Sequence, residues 1–140
     1  MRNSKRFTYI KKVNNLGQEN YVPYVPITLN YGDVSVKSMG LLDTGATINV
    51  LPYNLGLELG AIWENQTVSI PLSGNLEPIE ARGLVVSGII DNFPSVRLAF
   101  AWAESNNLPL ILGQLNFFTE FNICFYGSQL AFEISEKIKN

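Results

Sequence analysis

The segment 41–46 places an acidic side chain directly after two leucines, and then a hydroxyl side chain and a glycine. This order predicts a buried strand that ends in a tight turn. Gly45 permits a close backbone approach and an unusual backbone conformation, Thr44 can hydrogen-bond within the loop, and Asp43 projects into the cavity beyond the strand. A carboxylate at that point could accept or donate a proton during catalysis.

The absence of histidine narrows the chemistry that Asp43 could perform. The chain has no histidine and one cysteine, Cys124. Ser-His-Asp and Cys-His hydrolases, zinc sites with histidine ligands and Cys-x-x-Cys redox pairs are therefore excluded within one chain. Amide hydrolysis by two carboxylates that share one proton needs none of these groups. We predict no cofactor and no metal.

A second apolar segment that runs into a glycine lies far along the chain. It consists of Ile111, Leu112 and Gly113, and a short predicted helix and a strand follow it. Together, in this order, the two motifs resemble those of the retropepsin-like aspartic proteases, and the likeness is closest to the bacterial branch. In that family an Asp-Thr-Gly-Ala loop after two apolar residues is matched downstream by two apolar residues and a glycine. The resemblance covers about residues 21–134.

The resemblance implies a role for each residue of the first motif. Asp43 would be the catalytic aspartate, Thr44 would brace the loop across a dimer, Gly45 would accept substrate and Ala46 would pack behind the aspartate. Asp-Thr-Gly occurs once in the chain, so the second aspartate would come from a second copy across a two-fold axis. The implied function is an aspartic endopeptidase, active as a homodimer on peptide or protein substrates.

The family also has a flap that closes over the substrate, and residues 66–87 match it in position. The residues expected to contact substrate are Leu72, Ser73, Gly74, Asn75 and Leu76. Pro71 and Pro78 flank this tip, so the flap is expected to be stiffer than the glycine-rich flaps of viral relatives. Many relatives have Arg or Asp directly after the second motif, whereas Gln114 stands here.

The elements that must position these motifs are predicted to be mostly strands, because apolar residues recur with a period of two along most of the chain. Helical spacing is limited to residues 52–59 and 114–120. We therefore predict an all-β fold, a retropepsin-like closed barrel with one or two short helices and a flap hairpin. The aromatic residues Trp63, Trp102, Phe117 and Phe118 are assigned to packing.

Length and charge set the domain organisation. The 140 residues fit one domain, which we place at 21–134, after a basic, flexible segment at 1–20 and before a tail or interface strand at 135–140.

The charges are unevenly distributed along the chain. Five of the ten basic residues lie within the first twelve positions, and the rest of the chain carries all twelve acidic residues, which argues against nucleic-acid binding. No apolar run approaches the roughly 18 residues of a membrane span, and no signal-peptide core follows the N-terminus. A cytoplasmic location is predicted.

Other interpretations of the same residues stay open. Asp43 could cap a turn without any catalytic role. The chain could be a catalytically weak peptide-binding or dimerisation module that captures a strand at a sheet edge. Its basic N-terminal segment could contact RNA or a membrane, although the acidic body disfavours this. Cys124 is expected to be structural, since its sequence neighbours are not basic.

Overall fold

The computed structural model describes residues 4–72 and 78–137. Its strands are β1 (Ser4–Thr8), β2 (Ile10–Val13), β3 (Glu19–Val22), β4 (Tyr24–Tyr31), β5 (Val34–Leu42), β6 (Asn49–Leu51), β7 (Ser69–Leu72), β8 (Ile79–Ile89), β9 (Val96–Ala103), β10 (Ile111–Leu112), β11 (Phe121–Tyr126) and β12 (Ala131–Glu136). The helices are α1 (Tyr53–Glu58) and α2 (Phe117–Glu120), and Trp63–Asn65 and Gly127–Gln129 form 3-10 turns. The predicted all-β class with short helices is confirmed.

Six strands close into a barrel in the order β4, β5, β10, β6, β9 and β8, and β8 pairs back with β4. The β10–β5 and β6–β9 pairs are parallel, and the other pairs of the barrel are antiparallel. β7 extends the sheet beyond β8. The predicted closed barrel is therefore confirmed.

The period-two pattern explains how the barrel is filled. β4 buries alternate residues, Val25, Ile27 and Leu29, while the residues between them are at least partly exposed. β8 and β9 contribute further apolar side chains from the facing side, among them Leu98 and Phe100. In a barrel of this size the inward side chains fill the interior, so these strands form one hydrophobic core.

Helix α1 packs against β9 through aromatic side chains. The rings of Trp63 and Trp102 meet edge to face with centroids 5.1 Å apart, and Tyr53 stacks on Trp102 at 5.8 Å. The Trp102 indole N–H also donates to the Tyr53 carbonyl oxygen at 3.0 Å. The helix ends at Glu58, and Gly60 two residues later has a φ of +84°, as expected just beyond a helix terminus. The helix predicted at 52–59 is thus confirmed within one residue at each end.

Helix α2 begins later than predicted. The pattern indicated a helix over 114–120, whereas α2 begins at Phe117. Before it, Leu115 forms a parallel β-bridge with Ile48, and the backbone amides of Gln114 and Leu115 donate to the carbonyl oxygens of Ala46 and Thr47, at 2.9 and 2.8 Å. Strand-like pairing requires an extended backbone, so the helical turn starts only after Leu115.

A second sheet contains both ends of the described chain, in the order β1, β12, β11. Phe7 on β1 stacks on Phe132 of β12 with ring centroids 5.3 Å apart. The segment 1–20, which was predicted to be flexible, thus contains β1, where Phe7 packs although charged residues surround it in the sequence. β2 and β3 also pair as a hairpin, and β3 already begins at Glu19.

The tail or interface strand predicted at 135–140 lies only partly within the described residues and stays a prediction. Ser135 and Glu136 belong to β12, which pairs with β1 on one side and β11 on the other, all within one chain. Both of its edges are therefore occupied. Of the described residues, none forms a helix that is long and apolar enough to cross a membrane.

Candidate active site

The structure brings the two sequence motifs together at the ends of two parallel strands. Leu41 and Leu42 of β5 pair with Ile111 and Leu112 of β10. The strands end side by side, and the backbone amide of Asp43 donates to the carbonyl oxygen of Leu112 at 3.1 Å. Two segments far apart in sequence therefore form one substructure around Asp43.

The loop that follows β5 is a tight turn built on the Asp43 side chain. The Gly45 amide donates to Asp43 Oδ1 at 3.0 Å, and the Ala46 amide donates to the Asp43 carbonyl oxygen at 3.1 Å. Asp43 is half-buried, while Thr44 and Gly45 are exposed. The capping contact expected of a purely structural aspartate is thus present, and it engages Oδ1 of the carboxylate.

Gly113 lies tightly against the Asp43 loop. A Cβ atom at this position would lie 2.6 Å from the Ile48 carbonyl oxygen and 2.8 Å from that of Ala46. Such distances are far inside van der Waals contact, so only glycine allows this approach. Sterics therefore explain why the second motif ends in glycine: without a Cβ at position 113, the backbone of 113–115 can approach the loop and hydrogen-bond to it.

Gln114 adds a side-chain contact to the same loop. Its Nε2 donates to the Thr44 carbonyl oxygen at 2.6 Å, so a neutral side-chain amide binds the loop. Beside this contact lies an open hollow of about 290 Å³ lined by Thr44, Gln114, Phe118 and Thr119. The exposed surface of the Asp43 loop and the surface of α2 therefore line the same hollow.

The arms of the predicted flap form an antiparallel hairpin from β7 and β8. Leu72, the last residue of β7, is half-buried and pairs with Ile79. Ser73, Gly74, Asn75 and Leu76 lie outside the described residues, so their predicted role stays a prediction. At the base of the hairpin Arg82 stacks over Trp63, 4.5 Å from the ring centroid, and donates to the Trp63 carbonyl oxygen at 2.8 Å.

Two buried or half-buried asparagines near the loop were not predicted from the sequence. Asn49 begins β6, and its Oδ1 accepts a hydrogen bond from the Gly113 amide at 2.8 Å. Asn116 precedes α2, and its Oδ1 accepts one from the Ala99 amide at 3.0 Å. A single polar residue inside the apolar run 48–51 was the signal that could have pointed to Asn49.

The remaining sequence expectations concern single residues. Trp63, Trp102 and Phe117 are buried, in agreement with their assignment to packing, and Phe118 packs against the core from a half-buried position. Cys124 is exposed on β11, on the face of the strand opposite to the core-packed Ile123.

A further hollow of about 530 Å³ lies near Phe121 and Lys137, and neither motif contributes to its lining.

Comparisons with known proteins agree with this architecture. No protein-family model matches the sequence, and no curated protein matches it. Among solved structures, the chain is similar to the crystal structure of a retropepsin-like aspartic protease from Rickettsia conorii, with a TM-score of 0.60 and 15% sequence identity over 97% of this chain and 94% of that one. At this identity the likeness shows the fold. The chain therefore has a retropepsin-like fold.

Proposed function

We propose that the protein is an aspartic endopeptidase that is active as a homodimer. The observation that carries the proposal is the Asp-Thr-Gly loop at the end of β5, with Asp43 held beside Gly113 of the second motif. The fold supports it, since a protein with the same architecture is described as an aspartic protease. Folds host many functions, so the argument rests on the loop itself.

The proposed reaction uses Asp43 from each of two copies of the chain. The ionised carboxylate takes a proton from water, and the water oxygen forms a bond to the carbonyl carbon of the substrate peptide. The protonated carboxyl of the other copy hydrogen-bonds to the carbonyl oxygen as negative charge develops there. The carboxyl that took the proton from water then passes it to the amide nitrogen as the C–N bond breaks, which yields a carboxylic acid and an amine and leaves the pair with one proton again.

A second copy is required because one chain supplies one Asp-Thr-Gly loop. The exposed side of that loop, Thr44 and Gly45, is where the second loop would lie. We propose that the edge of β11 pairs with the same edge of the second copy. β11 carries no charged side chain, whereas the other edge of its sheet, β1, carries Lys5 and Arg6. Charged residues normally protect a free edge against pairing.

The alternative, a catalytically weak peptide-binding module, is also supported by one observation. β7 is the outermost described strand of the large sheet, so an extended peptide could pair with its free edge. Binding at that edge would not need the Asp43 carboxylate. The two functions therefore differ in whether substitution of Asp43 abolishes turnover while binding persists.

The test is peptide hydrolysis by the purified protein and by an Asp43→Asn variant. Asn cannot deprotonate the attacking water, so we expect loss of cleavage with an unchanged circular dichroism spectrum and unchanged association state. Asp33→Asn is the matched control, because Asp33 lies exposed in the turn between β4 and β5. We expect this control to keep wild-type activity.

A digest of a mixed peptide library, with the products identified by mass spectrometry, detects cleavage without requiring a chosen substrate. Peptidase activity that survives Asp43→Asn would refute the proposal. Peptides that bind to the wild-type protein and to Asp43→Asn equally, without any cleavage, would favour the binding module instead.

A further inference from the structure

Asn49 has a polar side chain that is fully buried in the barrel. It is 0% exposed, and among the described residues it is the one polar or charged residue classed with the buried core. Its neighbours in β6, Val50 and Leu51, are apolar and buried as well. A buried amide is unfavourable unless its hydrogen-bonding groups are satisfied, so its partners are informative.

The Asn49 side chain uses both ends of its amide. Oδ1 accepts from the Gly113 amide at 2.8 Å, and Nδ2 donates to the Ala99 carbonyl oxygen at 3.0 Å and to Asn116 Oδ1 at 3.3 Å. Asn116 also binds β9, since its Nδ2 donates to the Arg97 carbonyl oxygen at 2.7 Å. Asn49 therefore connects the second motif to two other parts of the barrel.

The partner that matters for the site is Gly113. β10 ends at Leu112, so the Gly113 amide lies beyond the strand pairing and would be buried without a partner if Asn49 were absent. The next two backbone amides, of Gln114 and Leu115, donate hydrogen bonds to the carbonyl oxygens of Ala46 and Thr47. The position of Gly113 thus sets the position of the far end of the Asp43 loop.

We propose that Asn49 is a positioning residue for the Asp43 loop, and this inference rests on the proposed function. Asn49 holds the Gly113 peptide, and through it residues 46–47, so that Asp43 meets the second aspartate with the required geometry. Catalytic groups must be held within about 0.5 Å, and a displacement of about 1 Å can lower the rate about 100-fold. Asn49 touches neither substrate nor the reacting atoms.

Two leucine variants separate positioning from general stability. Asn49→Leu keeps the branched skeleton of four side-chain heavy atoms but removes the acceptor for the Gly113 amide. Asn116→Leu removes the bonds to β9 and the 3.3 Å bond from Asn49 Nδ2, but it leaves the Asn49–Gly113 and Asn49–Ala99 bonds in place, which makes it the matched control. We expect Asn49→Leu to lower kcat about 10- to 100-fold with little change in KM. Asn116→Leu should keep kcat within a few-fold when both are assayed at a temperature at which they are folded.

Asn49→Asp supplies a second readout and a variant that folds if the leucine variant does not. The carboxyl can still accept from the Gly113 amide, but it must be protonated to donate to the Ala99 carbonyl oxygen. Burial raises the pKa of such a carboxyl, so the native bonds persist at acid pH and are lost as pH rises through that pKa. We expect the activity of Asn49→Asp, relative to wild type, to fall as pH increases.

The third readout needs no substrate. Amide hydrogen exchange at Gly113, Gln114 and Leu115, followed by NMR in the full chain, should be faster in Asn49→Leu, and in Asn49→Asp at neutral pH, than in wild type. In Asn116→Leu these amides should keep near-native protection. Wild-type protection in both Asn49 variants would overturn the inference. Equal losses of kcat in the two leucine variants, or a pH profile of Asn49→Asp that overlays wild type, would do the same.

The outcome for Asn49 can be told apart from the outcome for the proposed function. A wild-type protein without peptidase activity would refute the proposed function. The exchange measurement would then decide by itself whether Asn49 holds the loop, since it reports the Gly113 amide directly.

Discussion

The backbone amide of Asp43 lies 3.1 Å from the carbonyl oxygen of Leu112 and donates a hydrogen bond to it. This bond is the last contact between the parallel strands β5 and β10 before the chain turns at both motifs. Beyond it, the loop is held from its other end by the amides of Gln114 and Leu115. The Asp43 loop is therefore fixed on both sides by residues of the second motif, and changes in that motif should act on Asp43.

The first prediction concerns Gly113→Ala. The new Cβ would lie 2.6 Å from the Ile48 carbonyl oxygen and 2.8 Å from that of Ala46, and neither backbone atom can rotate away. We expect a loss of about 1 to 3 kcal/mol in the free energy of unfolding, together with loss of peptidase activity. Denaturant unfolding and peptide hydrolysis measure the two effects. Gly127→Ala is the control, because a Cβ there meets no atom within 4 Å; equal effects of both substitutions would contradict the steric argument.

The second prediction concerns Thr44→Ala. Thr44 is exposed at the tip of the loop, and we expect its hydroxyl to brace the two loops across the proposed dimer. The variant should dissociate at higher protein concentration than wild type in sedimentation experiments and should lose activity in parallel. Thr47→Ala, an exposed threonine at the end of the same loop, should do neither. Unchanged association of Thr44→Ala would contradict the bracing role.

Sequence and structure agree best where the signal is local. Strand periodicity predicted a mostly β chain, and the two apolar motifs predicted strands that end before Asp43 and Gly113. The spacing of Leu55 and Leu59 predicted α1. Each of these features depends on residue types within one short segment, which is the range over which a single sequence is informative.

The differences arise where a distant segment decides the local structure. The start of α2 is delayed because Leu115 pairs as a β-bridge with Ile48, in a loop formed far earlier in the chain. β1 forms because Phe7 stacks on Phe132, a contact that no pattern within the basic N-terminal segment reveals. Asn49 stands out in the sequence as a polar residue inside the apolar run 48–51, but its bond to Gly113 becomes visible only when β6 and β10 are paired.

The third prediction is the pH dependence of the proposed reaction. The Asp43 pair must carry one proton in total, so activity should fall both when the pair gains a second proton and when it loses the first. Paired carboxylates titrate in two coupled steps, and we expect a bell-shaped profile with its optimum on the acid side of neutrality. Initial rates from pH 3 to 9 with one peptide substrate test this. A flat profile, or loss of activity with a metal chelator, would indicate a different chemistry.

The fourth prediction locates the contact between the two copies on β11. In an antiparallel pair related by a two-fold axis, one position faces its own copy, with Cα atoms about 4.5 to 5.5 Å apart, which suits a disulfide. Single cysteines are placed at residues 122, 123 and 125 in a Cys124→Ser background and compared with wild-type Cys124. Crosslinked dimers should form at one or two neighbouring positions. Ser4→Cys and Thr8→Cys in β1, in the same background, are the controls. Crosslinking that is strongest in β1 would place the contact at the opposite edge of the sheet.

The last prediction concerns protein concentration. If each copy supplies one aspartate, a monomer has an incomplete site, so activity per mole of chain must fall once dilution passes the dimer dissociation constant. Specific activity and sedimentation should decline together over the same concentrations. A dimer crosslinked through β11 is the matched control, because its second aspartate cannot diffuse away, and it should keep its specific activity at dilutions that inactivate the free chain. Constant activity in a sample shown to be monomeric would mean that Asp43 does not work as half of a pair, and the peptide-binding module would become the better hypothesis.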